Sequence, residues 1–382
     1  MTSPLALPTL IAPTVVPPTS TSPTLAAATL ASPTSTLPAL AAAAFAAGLA
    51  GLAAFAGLSA SSALSPAAAA DKPVLTVYTY DGFPSKYGPG GVIKERFEAT
   101  CGCTLEWVTA DDGGTLLARL KLEGDATQAD VVLGLDTNLM GEAEASGLFA
   151  EHGITPTGLT IPVEWTSKSF LPFDWGWFAF VYDADKLKAP PKSLAELVDG
   201  EGGPTLLIQD PRTSTPGLGL LLWLREVYGD KSDEAWAKLK PKIVTVTKGW
   251  SEAYGMFLEG EADMVLSYTT SPAYHAVAEG KQNYRAAIFP EGHYVQIEVA
   301  GITKAADDPE LARKFMAFMI SDGFQSAIPE GNWMYPAAIA PDKLPASFAA
   351  LPKPAKSFLL EPAVVRDNRR AWIDAWLAAY GG

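Results

Sequence analysis

The chain has 382 residues, and its 28 Lys and Arg against 42 Asp and Glu leave a formal charge of −14. Hydrophobic residues make up 48% and charged residues only 18%, a balance that excludes an acidic disordered chain and argues against a nucleic-acid binder, which needs clustered basic residues. Two cysteines and three scattered histidines exclude a disulfide-dense scaffold, a four-cysteine zinc site and a His-rich metal centre.

No Asp, Glu, Lys, Arg or His precedes Asp71. Residues 1–38 mix Pro, Thr, Ser and Ala without a period, which is a low-complexity composition unable to offset its own ordering entropy. Residues 39–58 form one apolar run, and Ala68, Ala69 and Ala70 stand just before DKP. An apolar run followed by small residues reads as a secretory signal, although the basic residues that normally open one are missing. The alternative reading of the same run is a retained membrane anchor. Residues 1–70 are therefore set apart from the fold.

VLTVYTY (Val74–Tyr80) alternates and is rich in β-branched and aromatic residues, so a strand is expected. A Gly- and Pro-rich loop leads to a helix at VIKERFEAT. Then come a strand at CTLEWVTA, a DDGG turn, a helix at TLLARLKLEG and a buried strand at ADVVLGL. The middle of the chain repeats the alternation. Strands are expected at WFAFVYD, PTLLIQD, KIVTVTKG and ADMVLSY, and helices at SLAELVDG, TPGLGLLLWLREVYG and SEAYGMFLEG. YVQIEVAGITKAA is expected to return to the first sheet. PELARKFMAFMIS reads as an amphipathic helix with Leu311, Phe315, Phe318 and Met319 inward, and AWIDAWLAAY as a closing helix. Cys101 and Cys103, in CGC, either close a very small ring or remain two thiols at a helix end.

Alternating strands and helices give an α/β protein with mostly parallel sheets. The expected layout is a first lobe over residues 71–177, a second over 178–284, a return to the first over 285–330, and a C-terminal helical segment over 331–382. In such sheets ligands sit beyond the carboxyl ends of the strands. That rule selects the loops at Tyr80–Asp81, Asp112–Gly113, Asp136, Ser214–Thr215, Trp250 and Tyr268–Ser271. Sequence signatures of enzymes are wanting: GWSEA lacks the closing glycine of a nucleophile elbow, HExxH and GxxxxGK[ST] are absent, and PGLGL lacks the third glycine of a dinucleotide loop. What the loops carry is aromatic rings (Tyr80, Trp250, Tyr268, Tyr274, Trp333), hydroxyls and acids. Aromatic faces with a carboxylate suit a flat organic cation, since the rings attract a desolvated cation and the acid offsets its burial. Taken singly, each ring reads equally as packing. Ser214 and Thr215 before Pro216 read either as a plain helix cap or as a grip on an oxygen or phosphate.

The stretches KPVLTVYTYDGF, ADVVLGLDTNL, FAFVYDADKLKAPPKSL, QDPRTSTPGLGLLLW, VTVTKGWSEAYGMFL, VLSYTTSPAYH and IPEGNWMYP resemble the thiamine-binding periplasmic proteins, the solute receptors of thiamine ABC transporters. The likeness spans nearly all of residues 72–376. It implies a type II periplasmic binding protein fold, two α/β lobes closing on a ligand cleft. It further implies no catalysis, no resident cofactor, thiamine or its phosphates as cargo, and the permease and ATPase subunits of an importer as partners. The family's ligand contacts fall on Asp112, Gly113, Ser214, Thr215, Trp250, Tyr268, Thr269, Thr270 and Ser271, with Tyr80, Tyr274 and Trp333 as further wall residues. A family position that often carries Trp is Tyr87 here. On this reading Trp250 and the tyrosines sandwich the rings. Asp112 offsets the thiazolium charge, with Asp81 or Asp136 as second choices, and Ser214, Thr215 and the helix they start take the hydroxyethyl or phosphate end. Rival readings are a ferric-iron receptor using Tyr268 and Tyr274, a polyamine receptor, and a thiamine-degrading enzyme, which would need a cleft cysteine.

Overall fold

The computed structural model describes residues 72–381; the low-complexity segment and the apolar run before them lie outside the described residues, as does Gly382. Its strands are β1 (Val74–Tyr80), β2 (Thr104–Ala110), β3 (Val131–Asp136), β4 (Phe170–Asp183), β5 (Leu206–Gln209), β6 (Ile243–Thr247), β7 (Met264–Tyr268), β8 (Tyr284–Ala286), β9 (His293–Ile302), β10 (Tyr335–Pro336) and β11 (Ser357–Phe358). They follow one path, β2-β1-β3-β9-β4-β7-β5-β6, with β10 and β8 added to β4 and β11 to β9.

β4 organises this path. Its first half, Phe170–Trp177, lies antiparallel to β9, while from Phe178 onward its partner is β7. β1, β2 and β3 are parallel on one side, and β5, β6 and β7 are parallel on the other. The two halves thus share one strand, and the carboxyl ends of β1, β2, β3, β5, β6 and β7 carry the loops chosen from the sequence. β3 and β9 are buried along their whole length, as expected of strands covered on both faces, and their runs VVLGLD and HYVQIEVAGI are accordingly almost continuously apolar.

β4 begins at Phe170 rather than at Trp177, where the sequence pattern placed it. The segment FLPFDWG carries Pro, Asp and Gly and so reads as a loop. The register with β9 shifts between Pro172 and Asp174, and this bulge absorbs a residue that cannot donate to the ladder. The helix Pro309–Met319 buries Leu311, Phe315 and Met319 and part-buries Phe318, as its period implied. The last helix, Pro362–Gly381, starts well before AWIDAWLAAY. It packs on the helices Thr137–Ala145 and Ser232–Leu239, so it braces both halves. Its Arg369 donates to Glu142 at 2.8 Å and to the carbonyl of Arg212 at 3.3 Å. The helix Gly90–Cys101 ends at Gly102, which takes the left-handed conformation (φ 67°), and Cys101 and Cys103 are joined as a disulfide. Among the described residues no helix is long and apolar enough to cross a membrane.

The helix Thr215–Tyr228 lies close against β4 because of Gly219: a Cβ there would sit 2.0 Å from Cε2 of Phe178. Gly219→Ala should therefore cost about 1–3 kcal/mol of unfolding free energy through overpacking, measured by urea denaturation. An unchanged midpoint would show that this contact has slack.

Candidate functional site

A cavity of about 570 Å³ opens where the loops after β1, β2, β6 and β7 meet. Tyr80, Asp112, Thr215, Trp250, Tyr268, Ser271, Tyr274 and Trp333 line it, together with Asp81, Ser85, Tyr87, Tyr254, Glu279, Glu298 and Asn332.

One carboxylate joins the two halves along this cavity. Asp112 caps the helix Gly113–Glu123, and its Oδ1 accepts from the backbone N–H of Gly113 at 2.7 Å. The same carboxylate reaches across to the second half. It accepts from Ser214 Oγ at 2.8 Å, from the backbone N–H and hydroxyl of Thr215 at 3.1 and 3.2 Å, and from the backbone N–H of Trp250 at 3.1 Å. Three helix N-termini therefore converge on one anion. Burial pushes the Asp112 carboxyl up, and these donors oppose that shift. Small residues permit the approach: a Cβ at Gly113 would lie 2.6 Å from Cγ2 of Thr215, and one at Gly114 would lie 2.5 Å from the carbonyl carbon of Thr213. Asp81 makes a second crossing at the mouth, accepting from Ser251 Oγ at 2.9 Å.

Deeper in the cleft lie acids that carry no loop signal. Asp174 on β4 and Glu298 on β9 are directly opposed across the antiparallel ladder, and both are buried. The Asn332 amide donates to Asp174 Oδ2 at 2.6 Å and to Glu298 Oε2 at 3.3 Å, and the Tyr80 hydroxyl donates to Glu298 Oε2 at 3.1 Å. Burial first, then mutual repulsion, holds Glu298 well above the ordinary carboxylate range; burial raises Asp174 as well. The Tyr80 and Tyr268 phenols are pushed up by burial and by these same acids.

Aromatic pairs form the walls. Trp250 and Tyr254 stack with centroids 4.8 Å apart and planes 23° apart, and Tyr274 and Trp333 meet edge to face at 5.3 Å. The first pair is fixed from behind. The Trp250 indole N–H donates to Ser267 Oγ at 2.8 Å, which in turn shares a hydrogen bond of 2.8 Å with Ser271 Oγ. Tyr254 donates its hydroxyl to His275 Nε2 at 2.9 Å, and His275 Nδ1 donates to Glu279 Oε2 at 2.9 Å. Burial lowers the pKa of that imidazole, and the Glu279 carboxylate, which can only accept, places the proton on Nδ1. Trp333 is the only non-glycine residue with positive φ (57°) among the described residues. Such local strain is sustained where the surroundings over-determine a side chain's direction, as the Tyr274 contact does here.

Of the residues expected from the sequence, Asp112, Thr215, Trp250, Tyr268, Ser271, Tyr80, Tyr274 and Trp333 share the cavity. Gly113, Ser214, Thr269 and Thr270 lie behind its wall. Gly113 starts a helix, Ser214 caps the next one and binds Asp112, and Thr269 and Thr270 are wholly buried. The helix start at Ser214–Thr215, expected to grip an oxygen or phosphate, already holds the Asp112 carboxylate. Asp136, a second choice for the cation's partner, is instead the cap of the helix Thr137–Ala145; it is fully buried, and its carboxyl is pushed up to about 7 by burial. Glu298, Asn332, Tyr254 and Glu279 were missed. Glu298 and Tyr254 sit inside regular elements, away from the strand carboxyl ends where ligands of such sheets bind. The only usable signal was an acid interrupting the apolar run of β9. Asp112→Asn exchanges one acceptor oxygen for a donor facing other donors, so unfolding free energy should fall by about 2 kcal/mol or more in a denaturant titration. No loss would remove the joint from the account.

The model for bacterial extracellular solute-binding proteins matches residues 89–326. A thiamine-binding periplasmic protein of Escherichia coli is 58% identical over 308 residues, covering 81% of this chain and 94% of that protein. One from Brucella melitensis is 55% identical over 316 residues, covering 83% and 94%. A solved structure titled a periplasmic thiamin binding protein superposes with a TM-score of 0.80 at 56% identity, over 83% of this chain and 99% of that one. The stretches that carried the resemblance are thus part of a likeness along nearly the whole described chain, and the chain belongs to the bacterial extracellular solute-binding proteins and, among them, to the thiamine-binding periplasmic family.

Proposed function

We propose that this protein is a periplasmic receptor that captures thiamine in the cleft and delivers it unchanged to the permease and ATPase subunits of an ABC importer, with residues 1–70 as its export segment. The observation that carries the reading is the cavity: aromatic pairs for walls, buried acids for a floor, and about 570 Å³ of space, within the range of small-molecule sites. Thiamine combines two flat rings with a permanent positive charge. Tyr254 covers one face of the Trp250 indole, leaving the other for a ligand ring. Thr215 and Ser271 add polar surface to the wall, with their hydroxyls already bonded to Asp112 and Ser267. Thiamine is cargo here and not a cofactor, so binding and release complete the task. Domain closure about the shared strand would exclude water and present the loaded form to the permease.

The rival readings fit the cavity less well. A ferric site needs phenolates free to coordinate, whereas the Tyr268 hydroxyl is engaged in donating to Gln296 Oε1 at 2.8 Å. A thiamine-degrading enzyme needs a nucleophilic thiol in the cleft, whereas the two cysteines are bonded to each other and neither lines the cavity. A polyamine would satisfy the acids and leave the stacked faces without a partner. Titration calorimetry with thiamine tests the choice. Saturable heat is expected, and Trp250→Ala should weaken binding by about thirtyfold, the equivalent of a cation–aromatic contact of about 2 kcal/mol. No heat with thiamine, together with saturable heat from spermidine or ferric citrate, would replace the reading; undiminished affinity in the variant would remove the stacking.

A further inference from the structure

We propose that Asp174 and Glu298 are the cation subsite of the cleft, that they hold one shared proton in the free protein, and that a cationic ligand expels it, so that binding is coupled to proton release. The inference rests on the thiamine reading and deepens it.

The geometry leaves little choice about the proton. The two carboxyls are cross-strand partners on β4 and β9 and are buried at 0% and 5% exposure, so two full negative charges side by side would each lack water. Asn332 and Tyr80 donate to Asp174 Oδ2 and to Glu298 Oε2, but Asp174 Oδ1 is buried without any N–H or O–H partner. A proton between the two acids supplies that partner. Among the described residues, nothing facing the pair supplies a counter-charge. The titratable groups around it are Tyr80 from β1, Tyr268 from β7, Asp136 at the end of β3 and Asp112 at the joint, all of them acids or phenols. Glu298 lines the cavity, so the missing positive charge has a route to the pair from the ligand side.

When a permanent cation arrives, its charge takes over the proton's role. The pair passes from one negative charge to two, and the proton leaves to solvent without any bond in the ligand being made or broken. A neutral ligand of the same shape has nothing to replace the proton with and leaves it in place. The acids therefore select for charge, while the aromatic walls select for flat rings. Shared protons of this kind belong to the pair and not to either residue, so changing one acid changes the number of protons released.

Calorimetry at about pH 7, in two buffers of matched pH and different ionisation enthalpy, decides the matter. The ligands are thiamine and its neutral analogue with a thiophene in place of the thiazolium. With thiamine, the heats should differ between buffers by the amount for about one proton released, and affinity should rise with pH over the range in which the free pair still holds its proton. The neutral analogue should give equal heats in both buffers, and the number of protons that thiamine releases should change in Glu298→Gln. If wild-type protein binds thiamine with buffer-independent heats, or releases as many protons with the neutral analogue, the inference is overturned and the receptor reading stands. If thiamine does not bind at all, both fall. The wild-type measurements suffice even where the variant does not fold.

Discussion

A carboxylate taken out of water is costly unless donors or a positive charge replace its hydration, and this cleft buries four: Asp112, Asp136, Asp174 and Glu298. The rest of the site follows from how each is satisfied. Asp112 and Asp136 are answered by helix N-termini, whose free N–H groups and hydroxyl neighbours take up the oxygens. Asp174 and Glu298 have no such helix start. Two donor side chains serve them incompletely, and Glu298 faces a cavity walled with aromatic rings, with Asp174 directly behind it. An acid pair left short of positive charge at the bottom of an aromatic pocket is arranged for a cation that comes and goes.

The fold makes that arrangement by sharing β4 between two sheets. Asp174 lies in the half of β4 that pairs with β9, and the switch of partner at Phe178 directs the rest of the strand into the second sheet beside Tyr268. The cavity is consequently bounded by both halves. The Asp112 carboxylate ties them together at one side, and the C-terminal helix braces them at another. Behind the aromatic walls, the chains Trp250–Ser267–Ser271 and Tyr254–His275–Glu279 fix ring orientation with side-chain hydrogen bonds. Pre-ordered rings lose less entropy on stacking against a ligand, which favours affinity.

Much of this was legible in the sequence because it follows from local pattern. The alternation in VLTVYTY and the rule that sites lie beyond strand carboxyl ends place Tyr80, Asp112, Thr215, Trp250 and Tyr268 beside one another. Other features depend on pairing between distant segments, which no local pattern records. Pro172 hides the first half of β4, since a bulge opposite β9 accommodates it only in the assembled sheet. Asp174 and Glu298 are ordinary mid-strand residues until the register sets them face to face. Asp112 reads as a free turn acid next to Asp111, and only tertiary contact brings five donors to its oxygens.

The most direct test of the central claim, that π-surfaces and a buried acid pair hold a cation between the halves, is a crystal structure of the protein with thiamine. The account predicts one ligand ring against the open face of Trp250 and the thiazolium turned toward Glu298. Thiamine bound outside this cavity, or bound within it with the thiazolium turned away from the acids toward solvent, would contradict the account.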